Sequence, residues 1–152
     1  LSSFIPFLLL RTYPLSLFLS FSSYCFSMDS SKVLKLLQEH PLPSDVFYSY
    51  GTAGFRYSAT IMAPVMLRVG LASRFLLQAS GNQNLGVMIT ASHNDESYNG
   101  VKLAASDGSM ISPKFEEIVI SWVNERDVEA WNSKLKILDT SIPLGSFFVA
   151  RD

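Results

Sequence analysis

Ser92 stands in the run Thr90-Ala91-Ser92-His93-Asn94, on a polar stretch between two short apolar segments, Leu85 to Ile89 and Val101 to Ala104. A serine so placed has three chemical uses to weigh: nucleophile with a base, ligand contact, or turn residue. The first fits poorly. Ser92 and His93 are neighbours, so the imidazole cannot readily serve the hydroxyl as its base, and no Gly-x-Ser-x-Gly elbow surrounds them. The second follows if Leu85 to Ile89 is a parallel strand, because ligands of open α/β sheets gather beyond the carboxyl ends of such strands. The third is the more economical on spacing alone: Thr90, Ser92 and Asn94 are residue types that close turns by bonding nearby backbone. A second stretch, Gly51-Thr52-Ala53-Gly54-Phe55-Arg56, is a loop with two glycines. From the residues alone, Gly51 and Gly54 serve simple turn chemistry.

The elements that must hold these loops are regular from Met28 onward. Asp29, Ser30 and Ser31 offer caps for a helix over Lys32 to Glu39, ended by Pro41 and Pro43. Val46 to Tyr50 reads as a strand or an extended lead-in. Residues 61 to 79 carry Val65, Met66, Val69, Ala72 and Leu76 at helical spacing. Ser80 to Asn84 is a turn. Leu85 to Ile89 reads as a strand buried on both faces, since it is apolar without alternation. Tyr98-Asn99-Gly100 reads as a turn into a second strand, Val101 to Ala104. Asp107-Gly108 turns the chain, and Pro113 opens a helix to about Asn124 with Phe115, Ile118, Val119 and Trp122 as its stripe. Asp127 to Leu138 is helical, and Phe147 to Ala150 is a last strand. Strands alternating with helices predict a layered α/β domain over residues 28 to 152.

Composition narrows the partners. The 152 residues are 48% hydrophobic and 16% charged, with a net charge of −1. No basic surface points to nucleic acid or an anionic membrane. Two histidines, His40 and His93, and one cysteine, Cys25, argue against a zinc site of Cys and His and allow no internal disulfide. His40, before Pro41, reads as a helix-end residue without function. The cysteine usage fits a reducing compartment, and the expected location is cytoplasmic. Residues 1 to 27 are rich in Leu, Phe and Ser, with Arg11 as the only charge and prolines at 6 and 14. No apolar run there reaches the roughly 18 to 20 residues of a membrane span, and no basic region precedes Phe4. Either Met28 is the native start and these residues are a translated leader, or they are a targeting segment. With a non-native leader, no membrane partner is expected.

The conjunction of Gly51-Thr52-Ala53-Gly54-Phe55-Arg56, Thr90-Ala91-Ser92-His93-Asn94 and Asn99-Gly100-Val101-Lys102 resembles the phosphohexomutase superfamily. The order of the pieces resembles its phosphoacetylglucosamine mutase branch, with Val149-Ala150-Arg151-Asp152 looking like the opening of a further loop in which Ala150 replaces Gly. The resemblance implies the first α/β/α domain of such an enzyme, truncated at Asp152. It implies that Ser92 carries a phosphoryl group, donates it to N-acetylglucosamine 6-phosphate, and is rephosphorylated from the bisphosphate intermediate to leave the 1-phosphate. A phosphoserine carries about −1.5 to −2 charges at neutral pH and needs cations beside it. By the same resemblance Arg56 and Lys102 contact that group and assist proton transfer at the attacking or leaving hydroxyl. Without it, Arg56 is a surface-loop arginine and Lys102 a solvated strand lysine. His93 orders the loop near phosphate, or is simply a hydrogen-bonded loop histidine. Asn94 holds the turn, and Gly51, Thr52 and Gly54 form the phosphate loop.

The resemblance also implies Mg2+, with the Ser92 phosphate oxygen as one ligand and the others, on an Asp-Gly-Asp-x-Asp-Arg loop, beyond this segment. Asp95, Glu96 and Asp107 are isolated acids with no Asp-x-Asp spacing. Two departures from the family pattern are Asp95, where Pro is usual, and Tyr57, where a small residue is usual. Asp95 adds negative charge beside a phosphate site and raises the cost of phosphorylating Ser92. The expected substrate is a sugar phosphate, and the segment alone is expected to be inactive. The alternatives are a phosphoglucomutase or phosphomannomutase, which differs in the sugar, and a non-catalytic truncated paralogue.

Overall fold

The computed structural model of the chain describes residues 29–81, 84–90, 94–95 and 97–138. Helix α1, Ser30–Glu39, starts where the Asp29 side chain accepts from the Ser31 backbone N–H, and buries Val33 and Leu37, one turn apart. A short strand β1, Phe55–Ser58, leads through a 3-10 turn, Ala59–Ile61, into α2, Ala63–Ala79. The sequence pattern starts this helix at 61. The chain delays it to Ala63, with Pro64 in the first turn, where its missing N–H costs nothing. Val65, Val69, Ala72 and Leu76 then line its buried stripe. Helix α3, Pro113–Val123, is capped by Ser112, and α4, Val128–Ile137, by Asp127, whose carboxylate accepts from Glu129 and Ala130 N–H groups.

The sheet departs from expectation. Strands β1, β2 (Gly86–Ile89) and β3 (Tyr98–Ala104) form a three-stranded sheet in the order β1-β3-β2, and both pairings are antiparallel. The parallel strand on which a ligand crest at Ser92 was premised is therefore absent among the described residues. Nor is β2 buried: Val87, Met88 and Ile89 are 50%, 51% and 59% exposed. It is an edge strand, and the core lies over the part of the sheet that carries Phe55, Val101 and Leu103. Tyr98-Asn99-Gly100 is not a turn. These residues pair with Ser58, Tyr57 and Arg56 of β1, so β3 begins three residues earlier and the turn falls before it. The expected strand at Phe147 to Ala150 lies outside the described residues, as do Asn82 and Gln83 of the expected turn after α2, while Ser80 and Gly81 do turn.

Val46 to Tyr50 is an extended lead-in rather than a sheet strand. Its backbone is held by side chains. Asn124, at the end of α3, accepts from the Tyr48 N–H at 2.8 Å and donates to the Tyr48 carbonyl at 2.7 Å. The Arg126 guanidinium donates to the Pro43 and Val46 carbonyls. Buried Arg68 of α2 donates to the carbonyls of His40 and Pro64, which ties the end of α1 to α2. A cation at a helix C-terminus is favourably placed for the helix dipole. Among the described residues no helix is long and apolar enough to cross a membrane.

Helix α4 is fastened by a largely buried ion pair between Lys134 and Glu125, with Lys134 over the rings of Trp122 and Trp131. Burial alone would raise the Glu125 carboxyl. The Lys134 ammonium and the N–H groups of Asp127 and Arg126 outweigh it and hold the group below the ordinary glutamate value. A depressed folded-state pKa contributes stability above the unfolded value, about 4.3, and loses it as pH falls through the folded one. Glu125→Gln is accordingly expected to lower the thermal midpoint at neutral pH. The gap to the parent should close once the pH is taken below about 4. A gap that stays constant across that range would show that the carboxylate's charge does not matter.

Candidate active site

The site grows from the contact between the first motif and β3. Gly51 and Gly54 close a tight turn, with the Gly54 N–H on the Gly51 carbonyl at 2.8 Å, and Thr52 and Ala53 are exposed at its tip. Gly54 has φ +75°, a conformation glycine adopts freely and other residues resist. It also lies flat on β3: a Cβ there would stand 2.3 Å from the Val101 carbonyl oxygen and 2.9 Å from Lys102 Cα. Gly51 has no such constraint, since a Cβ on it would meet nothing within 4 Å. Of the two glycines read as a pair, one is required by packing.

Side-chain parity then places the cations. Successive strand residues face opposite sides of a sheet. Phe55 pairs with Val101, and these two with Leu103 face the core. Arg56 pairs with Gly100, and Lys102 lies two residues beyond Gly100, so both cations project from the other face as diagonal neighbours. Gly100 leaves room between them. It is also where three backbones converge, since a Cβ on Gly100 would lie 3.0 Å from both the Phe55 and Thr90 carbonyl oxygens. Sequence reading took Gly100 for a turn residue. The usable signal was a glycine inside a strand, which often marks close backbone approach.

The serine loop is tied down at both flanks. The Thr90 N–H donates to the Gly100 carbonyl at 3.0 Å, which carries the β2–β3 pairing one step past Ile89. Arg56 Nη1 reaches Asn94 Oδ1 at 3.4 Å, and the Ala59 N–H donates to the Ser97 carbonyl at 2.8 Å. Ser92 and His93 lie outside the described residues, as does Glu96. The structure thus brings together Arg56, Lys102, Gly54 and Asn94, with Ser92 two residues before Asn94 in the chain. The Arg56 Nε is buried with no hydrogen-bond acceptor among the described residues. An orphaned guanidinium N–H on the polar face of a sheet, beside a loop that carries a serine, is a fit for a phosphoryl oxygen.

Asp95 is less of an intruder than its charge suggested. Its Oδ1 accepts from the Ser97 N–H at 3.0 Å, and the Tyr98 N–H closes on its carbonyl at 3.0 Å. The Ser97 backbone N–H and hydroxyl hold the exposed carboxyl below the usual aspartate value. Asp95 therefore forms a turn, the same local task as a proline, with its charge directed into that turn. Asp107 does likewise with Ser109. Among the described residues no three His, Cys, Asp or Glu groups meet to hold a metal ion. These residues do not supply a magnesium cage.

Residues 67–130 match the family described as phosphoglucomutase/phosphomannomutase, alpha/beta/alpha domain I. The phosphoacetylglucosamine mutase of Homo sapiens is 39% identical over 104 residues, which are 67% of this chain and 19% of that protein. Among solved structures, an N-acetylglucosamine-phosphate mutase of the alpha-D-phosphohexomutase superfamily, in its substrate complex, superposes with a TM-score of 0.63 at 33% identity, covering 73% of this chain and 22% of the other. The Aspergillus fumigatus N-acetylphosphoglucosamine mutase, in complex with GlcNAc-6P and magnesium, superposes with a TM-score of 0.60 at 31% identity, covering 72% and 20%. The chain spans about a fifth of the length of the relatives it matches. With its two glycine-pinned motifs on one mixed α/β frame, the chain is similar to enzymes of the phosphohexomutase superfamily, and its residues 67–130 match the α/β/α domain I of the phosphoglucomutase/phosphomannomutase family.

Proposed function

We propose that this chain supplies the phosphoryl-carrying part of a phosphoacetylglucosamine mutase, interconverting N-acetylglucosamine 6-phosphate and N-acetylglucosamine 1-phosphate. The observation that carries the reading is the placement of Arg56 and Lys102 as diagonal neighbours on one sheet face, with Arg56 on Asn94 and its Nε unpartnered among the described residues. Phosphoryl transfer asks a protein chiefly for positioning and charge neutralisation, which is what two fixed cations offer. In the step, the bond between the Ser92 oxygen and phosphorus breaks as a bond from a sugar hydroxyl to phosphorus forms. The proton of that hydroxyl returns to the serine oxygen, and Lys102 assists that transfer. Arg56 neutralises the transferring group and, through Asn94, steadies the loop. Reversal from the second phosphate of the bisphosphate completes the exchange. Magnesium would sit against the phosphoserine, where it would neutralise phosphoryl charge, with the Ser92 phosphate as the ligand this chain would give.

The test grafts residues 29–138 in place of the corresponding region of the human relative. The chimera is expected to interconvert the two sugar phosphates, and Ser92→Ala in it to fall to background. A folded chimera without turnover, or a Ser92→Ala chimera that keeps it, overturns the reading. The 152-residue chain by itself is expected to show no turnover.

A further inference from the structure

We infer that the Tyr50 hydroxyl is a positioning group for Lys102, joining the first motif to the strand that carries the second cation. The inference rests on the reading of Lys102 given above. Strand β1 pairs with β3 only as far as Val101, whereas β3 runs on to Ala104. On the β1 side, Leu103 has no strand neighbour for its backbone. The Tyr50 phenol takes that place: it accepts from the Leu103 N–H at 2.9 Å and lies 3.5 Å from the Leu103 carbonyl oxygen, to which it can donate. Both bonds are buried. Burial pushes the phenol's pKa up, so the hydroxyl keeps the proton it needs to donate. The ring is itself fixed edge-on against Phe55, centroids 5.1 Å apart.

Lys102 is therefore gripped from three directions. Met88 pairs with it from β2, Gly54 lies against its Cα, and Tyr50 holds the next peptide. Its side chain leaves toward the Arg56 face. Removing the phenol oxygen would leave a buried Leu103 N–H unpaired, which the strand relieves only by shifting toward another acceptor. That shift would turn Lys102 out of its alignment with Arg56.

The test uses the full chain with Tyr50→Phe, and Tyr57→Phe as the comparison. Tyr57 also loses a phenol bond, but to the Ser49 N–H rather than to a backbone group of β3. In Tyr50→Phe the Leu103 amide is expected to exchange about tenfold faster or more. The Lys102 side-chain methylene resonances are expected to shift, and affinity for inorganic phosphate, measured by titration calorimetry, to weaken roughly fivefold. Tyr57→Phe should leave all three as in the parent. In a Lys102→Met background, Tyr50→Phe should cost no further phosphate affinity. An unshifted Lys102 resonance in Tyr50→Phe, or an equal loss of affinity with and without Lys102, overturns the inference. If phosphate leaves the parent's Lys102 resonances untouched, it is the assignment of Lys102 to phosphate that falls. The resonance shift then still decides whether Tyr50 places it.

Discussion

Gly54→Ala is expected to lower the thermal midpoint of the chain by about 10 °C or more, while Gly51→Ala, three residues away, moves it by no more than a few degrees. The two glycines share a motif and a turn, but only Gly54 combines φ +75° with a packed neighbour. A left-handed conformation costs a non-glycine residue about 1–2 kcal/mol. A methyl 2.3 Å from a carbonyl oxygen cannot be accommodated without moving the turn off β3, and overpacking of this kind costs about 1–3 kcal/mol more. Thermal unfolding followed by circular dichroism distinguishes the pair. Equal shifts for the two variants would mean that the close contact between the turn and Lys102 does not exist in solution.

The second large effect is a split between stability and chemistry at Arg56. In the chimeric enzyme, Arg56→Met is expected to reduce turnover about 100-fold or more, the scale seen when a fixed charge-stabilising donor is removed. Stability should hold or rise slightly in the same variant, because the buried Nε has no acceptor among the described residues and its removal ends an unsatisfied polar burial. Among the described residues the side-chain bond lost is a long one, 3.4 Å to Asn94. Turnover and thermal midpoint measured on the same preparation give the answer. A fall in both by the same cause, with turnover recovering at low temperature, would make Arg56 a structural residue and remove the support it lends to Ser92.

Helices and site were legible to different degrees, for reasons visible in single residues. Helices α1, α3 and α4 have side-chain caps at Asp29, Ser112 and Asp127, and each was placed within one or two residues because a cap is a local hydrogen bond. Strand environment is not local. Leu85 to Ile89 reads as doubly buried, yet whether a strand is covered depends on what lies beside it, and β2 lies at the edge. Gly100 was misplaced for the same reason: an Asn-Gly step favours a turn locally, and its pairing with Arg56 is decided 44 positions away in the chain. The site cations became legible only as members of motifs. Nothing in the spacing of Arg56 and Lys102 alone says that they share a sheet face. Tyr50 was legible as an extended residue and not as a partner of Leu103, which takes the strand ending of β1 to expose.

The clamp between Asn124 and Tyr48 has a consequence for the order of events during synthesis. Its partners are 76 residues apart, and the two carbonyls bonded by Arg126 lie 83 and 80 residues from it. As the chain leaves the ribosome, the Gly51–Gly54 turn can settle on Lys102 as soon as β3 has emerged. The backbone groups of Tyr48 and the carbonyls of Pro43 and Val46 must wait until the end of α3 follows. A nascent chain stalled between those two points would carry an assembled motif pair on an N-terminal segment still open to proteases and chaperones, and release of α3 and α4 would close it in one late step.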